Sequence, residues 1–290
     1  MLVTRILHIS DLHFGRPLVT SRMNELVEYI REMRPDAVAV SGDLTQRCTN
    51  YEFERAAKFL AGVRETSPII VVPGNHDVRW LWAFFRSLGL FQWQQSEFKY
   101  ERYRTHIARE LNPSLELPGA VIAGLNTAHG ISRGSLTNRF RDLGVIGHVP
   151  RRGLEKAQAA FYRSPPDAAR IAMIHHNPIQ GATSRRHGLS NTSKALGAFA
   201  DMGVELILCG HDHQEAVHFV ETTDQGLVIS TAGTISSRLR AGRSSSFNLV
   251  EVSPEEIGIT TFTWERFKGI IPSMNHTFQR RSVPHPAPGS

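Results

Sequence analysis

The chain has 290 residues, of which 41% are apolar and 21% charged, ordinary values for a soluble globular protein with a sizeable core. The formal charge is +6, but the basic residues form no long run, which argues against a nucleic-acid-binding tail. Two cysteines exclude a disulfide framework, no apolar stretch reaches the ~18 residues of a membrane span, and the N-terminal segment lacks a signal-peptide pattern, so we expect a cytoplasmic protein.

The first half of the chain alternates strand and helix patterns. Strand-like apolar runs at 5–10, 37–41 and 69–73 are separated by two segments with apolar residues at helical spacing, 21–33 and 51–65. Strands that alternate with helices are typical of βαβ units, so we expect these strands to pair in parallel.

A segment rich in aromatic residues and charges follows at 79–111 and is interpreted as a helical insertion. Its aromatic side chains either pack the helices onto the body of the protein or form a lid or a dimer surface. Further strands are predicted at 120–125, 170–174 and 204–209, and a helix at 153–162.

The C-terminal third is β-rich and is expected to form a second sheet within the same domain. Its strand patterns are 216–220, 227–231, 247–252 and 258–263. The tail at 282–290 is rich in proline and small residues and is predicted to be disordered. We therefore expect one domain that spans residues 1–281.

Aspartate, asparagine and histidine residues directly follow five of these strands. They are Asp11 and His13, Asp43, Asn75 with His76 and Asp77, His175 with His176, and His211 with His213. Open α/β sheets place ligands beyond the carboxyl ends of their strands, so we expect these side chains to share one rim. Imidazole, carboxylate and amide oxygen suit divalent first-row metals.

These candidate ligands are too many for one metal ion, and their number indicates two ions. Two-metal sites hold their ions ~3.5–4 Å apart and act on phosphoryl groups. The absence of thiolate ligands admits manganese, iron and zinc, and we expect Mn²⁺ or iron, with Zn²⁺ as the alternative.

The five motifs resemble those of calcineurin-like metallophosphoesterases, from about Ile6 to His213. The resemblance implies an α/β fold, a four-layer αββα sandwich of two mixed β-sheets flanked by helices. It implies that one metal is held by Asp11, His13 and His213, the other by Asn75, His175 and His211, with Asp43 as the bridge. In the family pattern the histidine directly after the strand is the ligand, which favours His175 over His176.

The resemblance also implies hydrolysis of a phosphoester by a hydroxide held between the two metals. His76 would donate a proton to the leaving group or bind a phosphate oxygen, with Asp77 fixing its tautomer. His176 is either a substrate contact or a packing residue. Arg185 and Arg186 lie in a loop after the strand at 170–174 and could reach a substrate phosphate.

We expect a small phosphodiester as the substrate, such as a cyclic nucleotide. Three alternatives stay open: hydrolysis of a lipid pyrophosphate of the UDP-diacylglucosamine type, a nuclease, and a non-catalytic scaffold. The lipid alternative would use a membrane surface through the basic, apolar stretch 264–271. Nucleic acid is a less favoured partner because no extended basic patch is visible, and a homo-oligomer is compatible with the sequence.

Overall fold

The computed structural model describes residues 3–15, 18–79, 98–130, 145–179, 188–221, 226–236 and 244–280. The strands in these ranges are β1 Thr4–Ile9, β2 Ala37–Val40, β3 Ile69–Val71, β4 Ser114–Leu117, β5 Ala120–Gly124, β6 Ala169–Met173, β7 Leu206–Cys209, β8 Ala216–Glu221, β9 Gly226–Thr231, β10 Ser246–Val252, β11 Glu256–Glu265 and β12 Gly269–Gln279. The helices are α1 Thr20–Met33, α2 Asn50–Arg64, α3 Glu101–His106, α4 Arg151–Arg163 and α5 Thr192–Asp201, with 3₁₀ turns at Asn75–Asp77 and 98–100.

The strands form two mixed sheets. The first has the order β12-β11-β10-β1-β2-β3, and the second has the order β4-β5-β6-β7-β9-β8. In the first sheet β1, β2 and β3 are parallel, as predicted from the strand–helix alternation. In the second sheet β5, β6, β7 and β9 are parallel to one another, and β4 and β8 run antiparallel at the edges.

Three apolar layers separate four layers of secondary structure. Along β1, Leu7 and Ile9 face the helices α1 and α2, while Ile6 faces the other sheet, because successive side chains of a strand point to opposite faces. Along β7, Ile207 faces α4 and α5, and Leu208 packs between the sheets. The αββα sandwich expected from the sequence is therefore confirmed.

The helix α2 shows how local sequence and packing agree. Thr49 Oγ1 accepts a hydrogen bond from the backbone N–H of Glu52 at 3.3 Å, and the Glu52 carboxylate accepts one from the N–H of Thr49 at 3.2 Å. This capping box satisfies two donors that a helix start leaves unpaired. Phe53, Ala56 and Leu60 then recur at helical spacing and are fully buried.

The sequence predicted that the C-terminal strands form a sheet of their own. In the structure they do not. β8 and β9 extend the second sheet beside β7, whereas β10, β11 and β12 complete the first sheet beside β1. The reason is that β1 lies in the middle of a buried sheet and needs hydrogen-bonding partners on both edges. β10 supplies the second edge, with Leu7 opposite Leu249.

Three elements have no counterpart in the sequence-based prediction: β4, α5 and β12. The stretch 264–271, considered above as a membrane contact, comprises the end of β11, the turn at 266–268 and the start of β12. Trp264 is 8% exposed and donates its indole N–H to Glu25 on α1 at 3.0 Å, whereas Phe267 at the tip is 95% exposed.

Residues 80–97 of the predicted insertion lie outside the described residues, as does the tail at 282–290. The described part of the insertion contains α3, where Tyr103 is fully buried against Phe53 of α2, with ring centroids 6.4 Å apart. This part packs onto the body of the protein. Among the described residues, no helix has the length and apolar character that a membrane crossing requires.

Candidate metal centre

The carboxyl ends of strands from both sheets meet at one edge of the sandwich. Asp11 and His13 follow β1, Asp43 follows β2, Asn75 follows β3, His175 follows β6, and His211 and His213 follow β7. Potential ligand atoms of these residues fall into two groups, each within 4.8 Å. One group contains Asp11, His13, Asp43 and His213, and the other contains His175, His176 and His211.

In the first group two imidazoles face each other across two carboxylates. Nε2 of His13 lies 3.0 Å from Nε2 of His213 and 3.8 Å from Oδ2 of Asp43. Oδ1 of Asp11 lies 3.2 Å from the His213 nitrogen and 3.6 Å from the His13 nitrogen. His13 and both carboxylates are almost completely buried, so bulk water and salt screen their interactions only weakly.

Beside the second group the amide oxygen of Asn75 lies between two imidazoles. Oδ1 of Asn75 is 3.1 Å from Nε2 of His175 and 3.0 Å from Nδ1 of His211. The His175 nitrogen is also 3.4 Å from Oδ1 of Asp43. The two oxygens of Asp43 therefore face different groups, which is the position that a bridging carboxylate requires.

The backbone is strained at this edge. Asp11, His13, Asp43, His211 and His213 all have positive φ, between 46° and 75°. This left-handed region is unfavourable for residues with a Cβ atom, and such strain clusters at functional sites. The conformation turns the chain sharply after each strand and aims the next side chain back at the rim.

The donor set of the site fits cations. His175 donates Nδ1–H to the carbonyl oxygen of Ser41 at 2.7 Å, so in the neutral ring its Nε2 carries a lone pair, and this nitrogen faces two oxygen acceptors. Oδ1 of Asp11 is buried without a well-formed hydrogen bond. Converging lone pairs in a buried site repel one another unless a positive charge lies between them.

The pKa values of the site show the same need for positive charge. Burial alone would raise the pKa of Asp43, but His175 and His76 lower it well below its ordinary value. Burial alone would lower the pKa of His175, but Asp43 and Asp11 raise it to about 9. In the absence of metal, a proton on His175 thus takes the position that a cation would hold.

His76 lies beside the first group, and its orientation differs from the prediction. Its backbone N–H donates to Oδ1 of Asp43 at 2.8 Å, and its Nδ1 lies 2.8 Å from the carbonyl oxygen of Gln46. Since a carbonyl only accepts, Nδ1 carries the proton and Nε2 is left for the site. The predicted contact with Asp77 is therefore wrong, because Gln46 fixes the tautomer.

Asp77 instead ties together the two loops that carry Asp43 and Asn75. Its carboxylate accepts hydrogen bonds from the backbone N–H groups of Leu44, Thr45 and Gly74 at 3.1, 2.8 and 2.9 Å, and from the Thr45 hydroxyl at 2.9 Å. Burial and the nearby charge of Asp43 nevertheless raise the pKa of Asp77 to about 6. The four hydrogen bonds commit the Asp77 carboxylate to these two loops.

Of the three residues predicted to contact the substrate, the structure describes one. His176 is 1% exposed and packs beside His211, with ring centroids 4.7 Å apart. Arg185 and Arg186 lie outside the described residues. One residue next to the site was missed in the sequence: Thr127, whose hydroxyl lies 2.7 Å from Nδ1 of His176. It follows β5, so the strand-end rule applied to this strand would have found it.

Comparison with known proteins gives a family for this arrangement. The family model described as calcineurin-like phosphoesterase matches residues 4–215. The glycerophosphodiester phosphodiesterase GpdQ of Enterobacter lignolyticus is 36% identical over an alignment of 85 residues, and the match covers 24% of this chain and 28% of GpdQ. The match thus spans less than a third of that relative's length.

Two solved structures share the fold at low sequence identity. The purple acid phosphatase PPD1 of yellow lupin (Lupinus luteus) has a TM-score of 0.63 at 12% identity, covering 96% of this chain and 54% of that one. A dimetal phosphatase of Danio rerio has a TM-score of 0.60 at 13% identity, covering 95% of this chain and 98% of that one.

Proposed function

Since this chain belongs to the calcineurin-like phosphoesterase family, we propose that it hydrolyses a small phosphodiester at a binuclear metal centre. The observation that carries the proposal is the position of Asp43, whose two oxygens face the two ligand groups at 3.8 and 3.4 Å from the nearest imidazole nitrogens. The ligands proposed for the two ions are Asp11, His13 and His213 for one, and Asn75, His175 and His211 for the other, with Asp43 shared.

When bound, two divalent cations would acidify a water molecule and neutralise charge on the phosphoryl oxygens. The chain's own residues hold the ligand atoms in place. Ser41 accepts from His175, and Thr45 accepts from Nδ1 of His13 at 3.4 Å, so each ring presents its Nε2 to the site. The nitrogen and oxygen ligands suit Mn²⁺ or iron.

His76 is the residue we propose as the proton donor to the leaving group. Its ring lies edge-on to His13, with centroids 4.9 Å apart, and Gln46 holds Nδ1, which leaves Nε2 available. A donor in this position would act as the imidazolium, with a proton on each ring nitrogen. It would give the Nε2 proton to the alkoxide as the ester bond breaks and keep the proton on Nδ1. The ring is partly exposed, so protons can exchange with solvent.

A diester is favoured over a monoester by the kinship with GpdQ, which is named as a glycerophosphodiester phosphodiesterase. Cyclic nucleotides and glycerophosphodiesters are the two substrate classes we propose to compare. Of the stretch on which the lipid pyrophosphate alternative rests, Trp264 packs against α1 through Glu25, and Phe267 is left exposed.

The test is hydrolysis of bis(p-nitrophenyl) phosphate, with p-nitrophenyl phosphate as the monoester comparison. Protein stripped with a chelator should be inactive, and added Mn²⁺ should restore turnover of the diester above that of the monoester. Asn75→Ala should bind one equivalent of metal less and lose turnover, whereas exposed Asn24→Ala should match the wild type.

Turnover confined to the monoester, or absent with Mn²⁺, Fe²⁺ and Zn²⁺ alike, would contradict the phosphodiesterase. Activity that requires detergent and a nucleotide-linked lipid would favour the lipid pyrophosphate alternative. Salt-sensitive cleavage of DNA would favour a nuclease. Failure to bind metal would leave the scaffold alternative.

A further inference from the structure

Two adjacent histidines at the second ligand group, His175 and His176, differ in whether their Nε2 carries a proton. His175 donates Nδ1–H to the Ser41 carbonyl at 2.7 Å, so in the neutral ring that a metal would bind its Nε2 carries a lone pair. That lone pair faces Oδ1 of Asn75 at 3.1 Å and Oδ1 of Asp43 at 3.4 Å. His175 thus has the tautomer of a metal ligand.

The tautomer of His176 is set by Thr127. The Thr127 hydroxyl lies 2.7 Å from Nδ1 of His176, and the side chain is completely buried. The other contact of this hydroxyl is the backbone N–H of His176 at 3.4 Å, which is a donor. Among the described residues, Nδ1 of His176 is therefore the acceptor that the Thr127 O–H can use, and Nε2 must carry the ring proton.

The opposite tautomer would be worse on both sides of the ring. It would leave the Thr127 O–H without an acceptor and would also leave Nε2 as a buried acceptor without a donor. Buried polar groups without partners are strongly disfavoured, so one unsatisfied group is preferred to two. The remaining unsatisfied atom is Nε2 of His176, which is buried and has no hydrogen bond within the described parts of the chain.

The ring of His176 is locked beside the site. Its centroid lies 4.9 Å from that of His175 and 4.7 Å from that of His211. On the Nδ1 side the ring touches Gly147, where a Cβ atom would come within 2.4 Å of Nδ1. Gly147 is itself held by the carbonyl of Gly188 at 2.7 Å. The ring therefore cannot turn its other nitrogen toward the metals.

We propose that His176 is a substrate-binding residue that donates Nε2–H to a phosphoryl oxygen at the second metal, and that Thr127 is the positioning residue that keeps the proton on Nε2. A nitrogen that carries a proton cannot ligate a metal, so His176 is separated from His175 although both belong to one cluster of potential ligands. An N–H donor that is desolvated and fixed binds an anionic oxygen strongly. The proposal rests on the proposed phosphoesterase function.

The tautomer is tested in metal-free protein, independently of activity. Long-range ¹H–¹⁵N correlation spectra distinguish the two tautomers of a neutral histidine, and His176→Phe identifies the signal. We expect His176 with the proton on Nε2 in the wild type and in Thr127→Ser, which keeps the hydroxyl. Thr127→Val, of similar shape, should lose this preference. A wild-type ring with the proton on Nδ1 would overturn the proposal.

The role is tested by the affinity of Mn²⁺-loaded protein for inorganic phosphate, measured by calorimetry beside the metal content. We expect His176→Phe and Thr127→Val to weaken phosphate binding by roughly tenfold, with metal content unchanged and Thr127→Ser within about threefold of the wild type. Loss of metal in His176→Phe would make the residue a ligand and overturn the proposal. Unchanged phosphate affinity would do the same.

These measurements are separate from the test of the phosphodiesterase itself. Wild-type protein that binds Mn²⁺ and phosphate but turns over no diester would refute the proposed substrate class and leave the assignment of His176 standing. Diester turnover that is insensitive to both His176→Phe and Thr127→Val would refute the assignment and leave the phosphodiesterase standing. Thermal melts of each variant identify any that fail to fold.

Discussion

Nδ1–H of His76 donates a hydrogen bond to the carbonyl oxygen of Gln46, 2.8 Å away, and this one contact leaves Nε2 for the substrate. A proton donor matters most when the leaving group is a poor one, such as an alkoxide, and little for p-nitrophenolate.

We therefore expect His76→Ala to lower kcat on a cyclic nucleotide or a glycerophosphodiester by about 10²–10⁴-fold. The rate on bis(p-nitrophenyl) phosphate should fall by less than about tenfold, because its leaving group needs no proton. Steady-state kinetics on both substrates with matched Mn²⁺ content would check this, with the exposed His218→Ala as the control. Equal losses on the two substrates would show that His76 acts on binding or metal retention instead.

Asp77 holds the loops after β2 and β3 together through four hydrogen bonds to its carboxylate. In Asp77→Asn one acceptor oxygen becomes an NH₂ group that faces backbone N–H donors. We expect a loss of about 3 kcal/mol in the free energy of unfolding, since hydrogen bonds to a charged group contribute about 1.5–3 kcal/mol each. Urea unfolding would measure this loss. Asp36→Asn, at an exposed site with one hydrogen bond to the N–H of Arg5, should change it by less than about 1 kcal/mol.

His8 makes stability depend on pH from inside the sandwich. It is completely buried, its Nε2 bonds to the Ser41 hydroxyl at 2.9 Å, and its Nδ1 has no partner within the described residues. Burial lowers its pKa to about 3, which outweighs the opposing charge of Asp11. The folded protein therefore resists a proton that the unfolded chain accepts at its ordinary value of 6.5.

The sign follows from the two pKa values. Above pH 6.5 the residue is neutral in both states and has no effect, whereas between 6.5 and about 3 the unfolded state binds the extra proton and the folded state loses stability. In His8→Gln the loss should be shallower by about 1 kcal/mol per pH unit in this window. Urea unfolding between pH 6.5 and 4.5 in a chelator would show it. Parallel curves for the two proteins would mean that His8 accepts a proton in the folded state.

Arg280, at the end of β12, joins the two sheets. Its guanidinium forms a two-point pair with Glu205 at 3.0 Å for each contact, and it donates to the carbonyl oxygens of Ser253 and Asp167 at 2.9 Å. The Arg280 side chain is 5% exposed, so the pair is shielded from water.

Lysine cannot reproduce this planar set of donors. We expect Arg280→Lys to lower the free energy of unfolding by about 3 kcal/mol, as breaking a buried pair does. Arg151→Lys is the matched control, because Arg151 pairs with Glu155 at 2.8 Å while 93% exposed. Its effect should stay below about 1 kcal/mol in the same urea titration. Comparable effects at the two sites would show that Arg280 does not join the sheets.

Gly42 is required by the close approach of two loops. Its φ is 98°, and a Cβ atom there would lie 2.7 Å from the backbone nitrogen of Gly74 and 2.8 Å from Nδ1 of His175. Gly42→Ala should therefore displace a metal ligand, lowering both the melting temperature and the Mn²⁺ content. Gly197→Ala, at an exposed position of α5 where an added Cβ atom would meet nothing within 4 Å, should instead raise the free energy of unfolding by up to about 1 kcal/mol. Full metal content in Gly42→Ala would disprove the constraint.

The sequence by itself determined the parallel strands of the first half and the rim on which the ligands meet. Asp11, Asp43 and His175 each follow an apolar run, and the carboxyl ends of parallel strands lie at one edge of a sheet. The apolar runs and the polar residues that follow them are both local in the chain, so they can be recognised without knowledge of the fold. The αββα layering came from the family resemblance rather than from the pattern itself.

The tertiary structure alone decided which nitrogen of each histidine faces the site. The partners that fix the tautomers are distant in sequence: Ser41 is 134 residues from His175, and Thr127 is 49 residues from His176. Likewise Asp77, beside His76 in the chain, turned out to serve the loops instead. The sequence also did not show how the C-terminal strands are divided between the two sheets. A strand pairs with whichever buried strand still has unpaired backbone groups, and only the fold shows which strand that is.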